Sequence, residues 1–258
     1  MVLVNKDKPY PSKRRLPVKI NGFMSGFHYV SEWIMRLFVT NLLWIIFNLP
    51  IIYVAINLRS VENLNEFLMI AVTMGILAPF VLFPATTAMF AVIRKWVMKE
   101  MDFPIISHFW RYYKENYLKS MLGGLFLGIL WLVLFLDYYY FMIYAKESFN
   151  PSLLFLLSIT FLLLFTFMFV FSLHLISYIV HIKAKLYVSI KDAMIITIGN
   201  PFMCISIVAL NGLIIYVSFN VFTFLIPFFM GSFIAFVSFT GFHLIYLKIL
   251  SLREGDSE

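Results

Sequence analysis

The sequence predicts an all-α membrane protein of six transmembrane helices, with interfacial amphipathic helices on the cytoplasmic side. Three observations predict it. Apolar residues fill 62% of the 258 positions, charged residues only 13%, and the mean hydropathy is +0.91. A soluble globular domain carries about 45–50% apolar and about 25% charged residues, so the polar surface needed to face water is missing. Uncharged runs of 22, 27, 35 and 55 residues occupy 37–58, 67–93, 148–182 and 193–247, where a span needs about 20. The formal charge of +7 is concentrated between these runs, and that makes it informative about orientation. A single cysteine, Cys204, leaves no internal disulfide and no cysteine-rich metal site, and reads as a small packing residue within a span.

Residues 1–21 are polar and basic, with Lys6, Lys8, Lys13, Arg14, Arg15 and Lys19 interleaved with prolines. They read as a cytoplasmic tail drawn to anionic headgroups rather than as a nucleic-acid arm. The first apolar run is too long for a cleavable leader and lacks a small-residue cleavage site. A single membrane domain is expected over 22–250, followed by a short tail at 251–258. Its spans fall at about 37–58, 67–93, 120–144, 152–180, 201–218 and 223–247.

Phe23, Phe27, Val30, Ile34 and Leu37 step by three or four, which predicts an amphipathic lead-in to the first span. Asn41 and Asn48, seven apart, share a face that should meet other helices, and Pro50 should bend the upper half. Asn63 or Asn65 can cap the second span, inside which Pro79 and Pro84 should produce a kink, with Thr86 and Thr87 nearby to satisfy freed backbone groups.

The connector 94–119 carries the densest chemistry. Arg94, Lys95, Trp96 and Lys99 end the second span, and Asp102 is placed to cap a helix with Pro104 in its first turn. Ile106, Phe109, Trp110, Tyr113 and Tyr117 then line one face, opposite His108, Arg111, Lys114, Glu115 and Lys119. This pattern predicts a separate interfacial helix over 104–117, lying along the cytoplasmic surface. Arg94, Lys95, Trp96, Trp110, Arg111, Tyr113 and Lys114 would equally make a docking surface for a partner.

The third span begins near Ser120, with Gly123, Gly124 and Gly128 permitting close helix contact in its near half and Asp137 among tyrosines at its far end. Asn150 and Pro151 open the fourth span, which carries His174 and His181 on one face without a neighbouring carboxylate or cysteine. Ser189 and Asp192 have capping-box spacing. One helix over 193–247 would be about 80 Å long, so two spans with a tight hairpin are expected, the first opened by Asn200–Pro201 and the second bent at Pro227. In this arrangement every Lys and Arg of the 20, except Arg59 and Lys146, falls on one side. The positive-inside rule puts that side, and both termini, in the cytoplasm. A weak internal likeness joins SEWIMRLFVTN, SHFWRYYKEN and SIKDAMIITIGN, each at the mouth of a span, which would make three hairpin units.

No Asp, Glu, Lys or Arg falls near the middle of a span, against the usual needs of an ion-coupled carrier. No phosphate-cradling loop, HExxH or GxSxG occurs, so neither an enzyme nor a bound cofactor or metal is expected. The strings SEWIMRLFVTNLLW, FPATTAMFAVIRKWV and FWRYYKENYLKS resemble the YesL family of small bacterial membrane proteins, over about residues 22–120. Members of that family have no established activity and tend to be encoded beside carbohydrate-uptake and two-component regulatory systems. The resemblance implies a role around sugar import or sensing and carries over no catalytic residues. A non-enzymatic accessory protein for a carbohydrate transporter or sensor kinase is therefore expected. The alternative is a facilitator for a small neutral solute, with Asn41, Asn48, Thr86, Thr87 and Asn211 along a polar path or helix interface.

Overall fold

The computed structural model describes residues 22–144, 147 and 149–255, so the expected basic tail at 1–21 lies outside it. No strand occurs among the described residues. The chain divides into two units, Met1–Met35 and Arg36–Glu258. The described part of the first is the leading stretch of helix α1 (Gly22–Phe47), with Val30, Ile34 and Met35 exposed. In the second unit α1 ends and is followed by α2 (Leu49–Ile56), α3 (Leu64–Phe80), α4 (Leu82–Val97), α5 (Ile105–Tyr139), α6 (Pro151–His181), α7 (Leu186–Gly199), α8 (Pro201–Asn220) and α9 (Gly231–Gly255). Val30–Phe47, Ile105–Met142, Pro151–His181, Pro201–Asn220 and Ile226–Leu252 are each long and apolar enough to cross a membrane; α3 and α4 together make a sixth. The protein is a multi-pass, all-α membrane protein.

Prolines set the breaks. Pro50 stands in the first turn of α2, and Asn48 separates that helix from α1, its N–H bonding the Trp44 and Ile45 carbonyls at 3.1 and 2.9 Å. The expected kink at Pro79 and Pro84 is a 46° bend between α3 and α4 at Val81. Pro84 offers no N–H to the Phe80 carbonyl, and its ring would crowd that oxygen in a straight helix. Tyr117 Oη donates to the freed carbonyl at 3.2 Å. Pro227 acts differently from expectation. It lies in a π turn, Ile226–Met230, that opens α9, where a missing N–H removes no established helical bond.

The separate surface helix expected over 104–117 is not formed. α5 runs unbroken from Ile105 to Tyr139, because no proline interrupts the passage from Tyr117 into the apolar stretch. At about 1.5 Å per residue its 35 residues extend about 52 Å, against a hydrocarbon core of about 30 Å. α1 is likewise continuous, whereas Pro201 cuts α7 from α8. The three repeat-like segments therefore meet their spans in different ways.

Caps follow chemistry only in part. Asn63 Oδ1 accepts from Glu66 N–H at 2.9 Å, and Asn150 Oδ1 accepts from Leu153 N–H at 2.8 Å with Pro151 opening α6. Asp102 caps nothing: Pro104 holds the cap position of α5 without a side-chain bond. Ser189 lies inside α7 and donates to the Lys185 carbonyl at 3.2 Å, while Asp192 accepts from Tyr178 Oη. The capping box fails because α7 has already begun at Leu186.

Burial separates the helices. α4 packs against α5, α6 and α9, and Ala85, Ala88, Val92 and Ile93 are fully enclosed. Leu127, Phe171, Leu175, Ile179 and Ala193 join α5, α6 and α7 in a second cluster. On α3, by contrast, Pro79 alone is buried. Its Met69, Val72 and Ile76 are exposed, as are Phe155, Leu162 and Leu163 on α6 and Ile205, Leu213 and Tyr216 on α8. Such apolar surface suits lipid rather than water.

Candidate functional site

Some polar residues of the apolar helices join helices, and others bond back to their own backbone. Asn41 is fully buried; its Nδ2 donates to the Pro227 carbonyl at 2.8 Å, and its Oδ1 accepts from Ser232 N–H at 3.0 Å. It thus satisfies backbone groups at the start of α9, where a π turn has displaced the usual pattern. Gly231 makes room for this, since a Cβ there would stand 2.9 Å from Asn41 Oδ1. Trp44 Nε1 donates to Thr86 Oγ1 at 3.0 Å, and Asn48 Nδ2 donates to the Trp44 carbonyl at 2.7 Å. Thr86 and Thr87 also bond back to the Leu82 and Phe83 carbonyls, at 2.7 and 2.9 Å. Asn211 stands elsewhere, donating to Ser238 Oγ at 3.0 Å between α8 and α9. Asn48 and Thr86 are thus linked through Trp44, while Asn41 and Asn211 belong to other contacts.

The basic connector divides into an inner and an outer part. Trp96 is 2% exposed and packs on Phe103 with ring centroids 6.4 Å apart, so it is not part of a docking surface. Arg94 is half-buried, with its Nε enclosed. Lys95 pairs with Glu100 and lies 5.4 Å from the Phe103 ring centre. The ammonium beside Glu100 holds that carboxyl below the usual carboxylate range. The pair therefore persists above the ordinary Glu titration and is lost as pH falls through the lowered value.

Over 105–117 the enclosed side chains are Phe109, which belongs to the expected face, and Tyr112, one position from the expected Tyr113. Ile106 is exposed and Trp110 is 47% exposed. Trp110 stacks on Tyr113 at 5.9 Å and 5°, and Lys114 Nζ stands 4.5 Å from the Trp110 ring centre. Phe47 of α1 touches Phe109, Trp110 and Tyr113 at 5.1, 5.5 and 4.7 Å. Arg111 pairs with Glu115 at 3.5 Å. This outward surface of Trp110, Arg111, Tyr113 and Lys114 is amphipathic: flat rings lie between cations, a combination suited to a protein or headgroup surface.

His174 and His181 share a helix but not a site. His174 is buried with Nδ1 2.9 Å from Thr197 Oγ1 of α7, while the His181 ring meets those of His243 and Tyr246 on α9. His243 and Ser238 gave no signal in the sequence, because a lone polar residue in an apolar run has no periodic partner to betray it.

The family described as "Protein of unknown function, DUF624" matches residues 37–138, from the first span through α5. A stretch of 106 residues is 33% identical to the Uncharacterized protein YteU of Bacillus subtilis (strain 168), covering 41% of this chain and 36% of that protein. Another of 118 residues is 31% identical to the Uncharacterized protein YesL of the same organism, covering 46% and 44%. Over this stretch the chain is similar to the YesL-like proteins. A third relative, the Uncharacterized protein YesV, is 48% identical over 58 residues, 28% of its length. The matches thus span less than half of each relative, and α6–α9 lie beyond the YesL-like family match. No solved structure matches the chain.

Proposed function

We propose that this YesL-like chain is a non-enzymatic accessory protein of the bacterial plasma membrane, with both termini cytoplasmic. It would help a carbohydrate transporter or sensor kinase assemble or signal. One observation carries the reading: Asn41, the Trp44–Thr86 pair and the Asn211–Ser238 pair bond helix to helix within the spans, while the amphipathic surface of Trp110, Arg111, Tyr113 and Lys114 is turned outward. Polar groups that bond from helix to helix favour a packed bundle over a polar path for a solute. The orientation rests on the placement of all Lys and Arg except Arg59 and Lys146. The link to carbohydrates rests on the family resemblance alone, and no nucleic-acid partner is implied.

A photoreactive residue placed at Trp110 or Lys114 in living cells tests the reading. The expected product is a discrete adduct with a membrane subunit of a carbohydrate importer or sensor kinase, weakened by Arg111→Gln. Sugar flux through the protein alone in proteoliposomes, with no adduct from either position, would favour the facilitator instead.

A further inference from the structure

Three basic nitrogens meet where α4, α6 and α9 come together. Arg94 stands one turn from the end of α4, His181 is the last residue of α6, and His243 lies on α9. The two imidazole rings are 5.5 Å apart at 72°, and Arg94 stands within Coulombic reach of His181. Tyr246 closes on His181 at 4.6 Å, above the fully buried rings of Phe239 and Phe242. Arg94 Nε, His181 Nδ1 and His243 Nδ1 are all enclosed and have no hydrogen-bond partner among the described residues. All three residues are half-buried, so the place is reachable from outside.

An orphaned buried polar atom is costly, and native structures keep such atoms few. Three in one place call for a shared partner. Water could accept the bonds, but it would leave the guanidinium without an anion bonded to it, and arginine does not lose its proton. Glu100 stands within Coulombic reach of Arg94 but spends its ion pair on Lys95, so no carboxylate among the described residues bonds Arg94. A metal cation would be repelled by that arginine, and no group of three metal-ligating side chains occurs among the described residues. A tetrahedral oxyanion has the charge and enough acceptor oxygens for Arg94 and both imidazoles. We propose that Arg94, His181 and His243 form a seat for a phosphate-bearing anion, either a lipid headgroup or free phosphate.

The test uses the purified full chain in nanodiscs of phosphatidylcholine alone, phosphatidylcholine with phosphatidylglycerol, and phosphatidylcholine with added inorganic phosphate, ionic strength being matched with chloride. A ligand that binds the folded state raises Tm with its concentration. The expected result is such a rise with phosphatidylglycerol, with phosphate, or with both. A rise with the lipid alone identifies a headgroup, and one with phosphate alone identifies the free ion. Arg94→Gln should abolish it, and so should the double variant His181→Gln/His243→Gln, which keeps the arginine and decides the question if Arg94→Gln fails to fold. Lys248→Gln, at an exposed lysine of the same helix as His243, should keep it. Absence of a rise in both anionic arms would overturn the proposal. So would equal loss in Lys248→Gln, which would mark diffuse attraction to basic surface.

Discussion

Lys99 ends α4 in the left-handed region, with φ of 64°. Its N–H bonds to the Trp96 carbonyl at 2.9 Å, and Glu100 N–H reaches back to the Lys95 carbonyl at 2.8 Å. This is the Schellman pattern, in which glycine is the usual residue. A lysine there carries a Cβ penalty of roughly 1–2 kcal/mol. Lys99→Gly should therefore raise stability by about 0.5–1 kcal/mol after the added chain entropy is counted, measurable by unfolding in mixed micelles. Asn41 works in the other direction. Asn41→Leu leaves Ser232 N–H and the Pro227 carbonyl without their partner, and should destabilise by about 1–3 kcal/mol in the same assay. An unchanged unfolding midpoint would remove Asn41 from the helix interface. Its position against another helix was legible from its seven-residue spacing to Asn48. Its partners were not, since they lie 186 and 191 positions along the chain.

Among the elements, α5 shows best what periodicity reveals and hides. The alternation of rings and cations over 106–117 marked a helix with two faces. It could not fix which ring points inward, because Phe109, Trp110, Tyr112 and Tyr113 are crowded into 109–113, and the choice belongs to the packing of Phe47 and His108 against them. Nor could it show that the helix continues into the span, since a boundary is written by breakers and this passage has none. The glycines of α5 separate the same way. A Cβ on Gly124 would stand 2.6 Å from the Phe83 ring of α4, while one on Gly128 would meet nothing within 4 Å. Gly124→Ala should cost about 1–3 kcal/mol through overpacking. Gly128→Ala should gain about 0.5–1 kcal/mol from helix propensity. Equal effects from the two substitutions, read from thermal unfolding in one detergent, would show that α4 and α5 do not approach so closely.

For the whole molecule, the apolar runs were legible because hydropathy acts locally along the chain. The bent pair α3–α4 was legible from its prolines, but the contrast between lipid-facing α3 and enclosed α4 was not, since both are apolar and differ only in their neighbours. The cluster of Arg94, His181 and His243 was equally hidden, being assembled from three separate spans. All functional readings here rest on one claim: the chain crosses a membrane with its basic connectors on the cytoplasmic side. Single cysteines at Lys99, Lys183, Glu62 and Glu147 in a Cys204→Ser background test it, all four native residues being exposed. A membrane-impermeant maleimide applied to intact cells should label positions 62 and 147 and spare 99 and 183 until the cells are permeabilised. Labelling at 99 or 183 in intact cells would contradict the account.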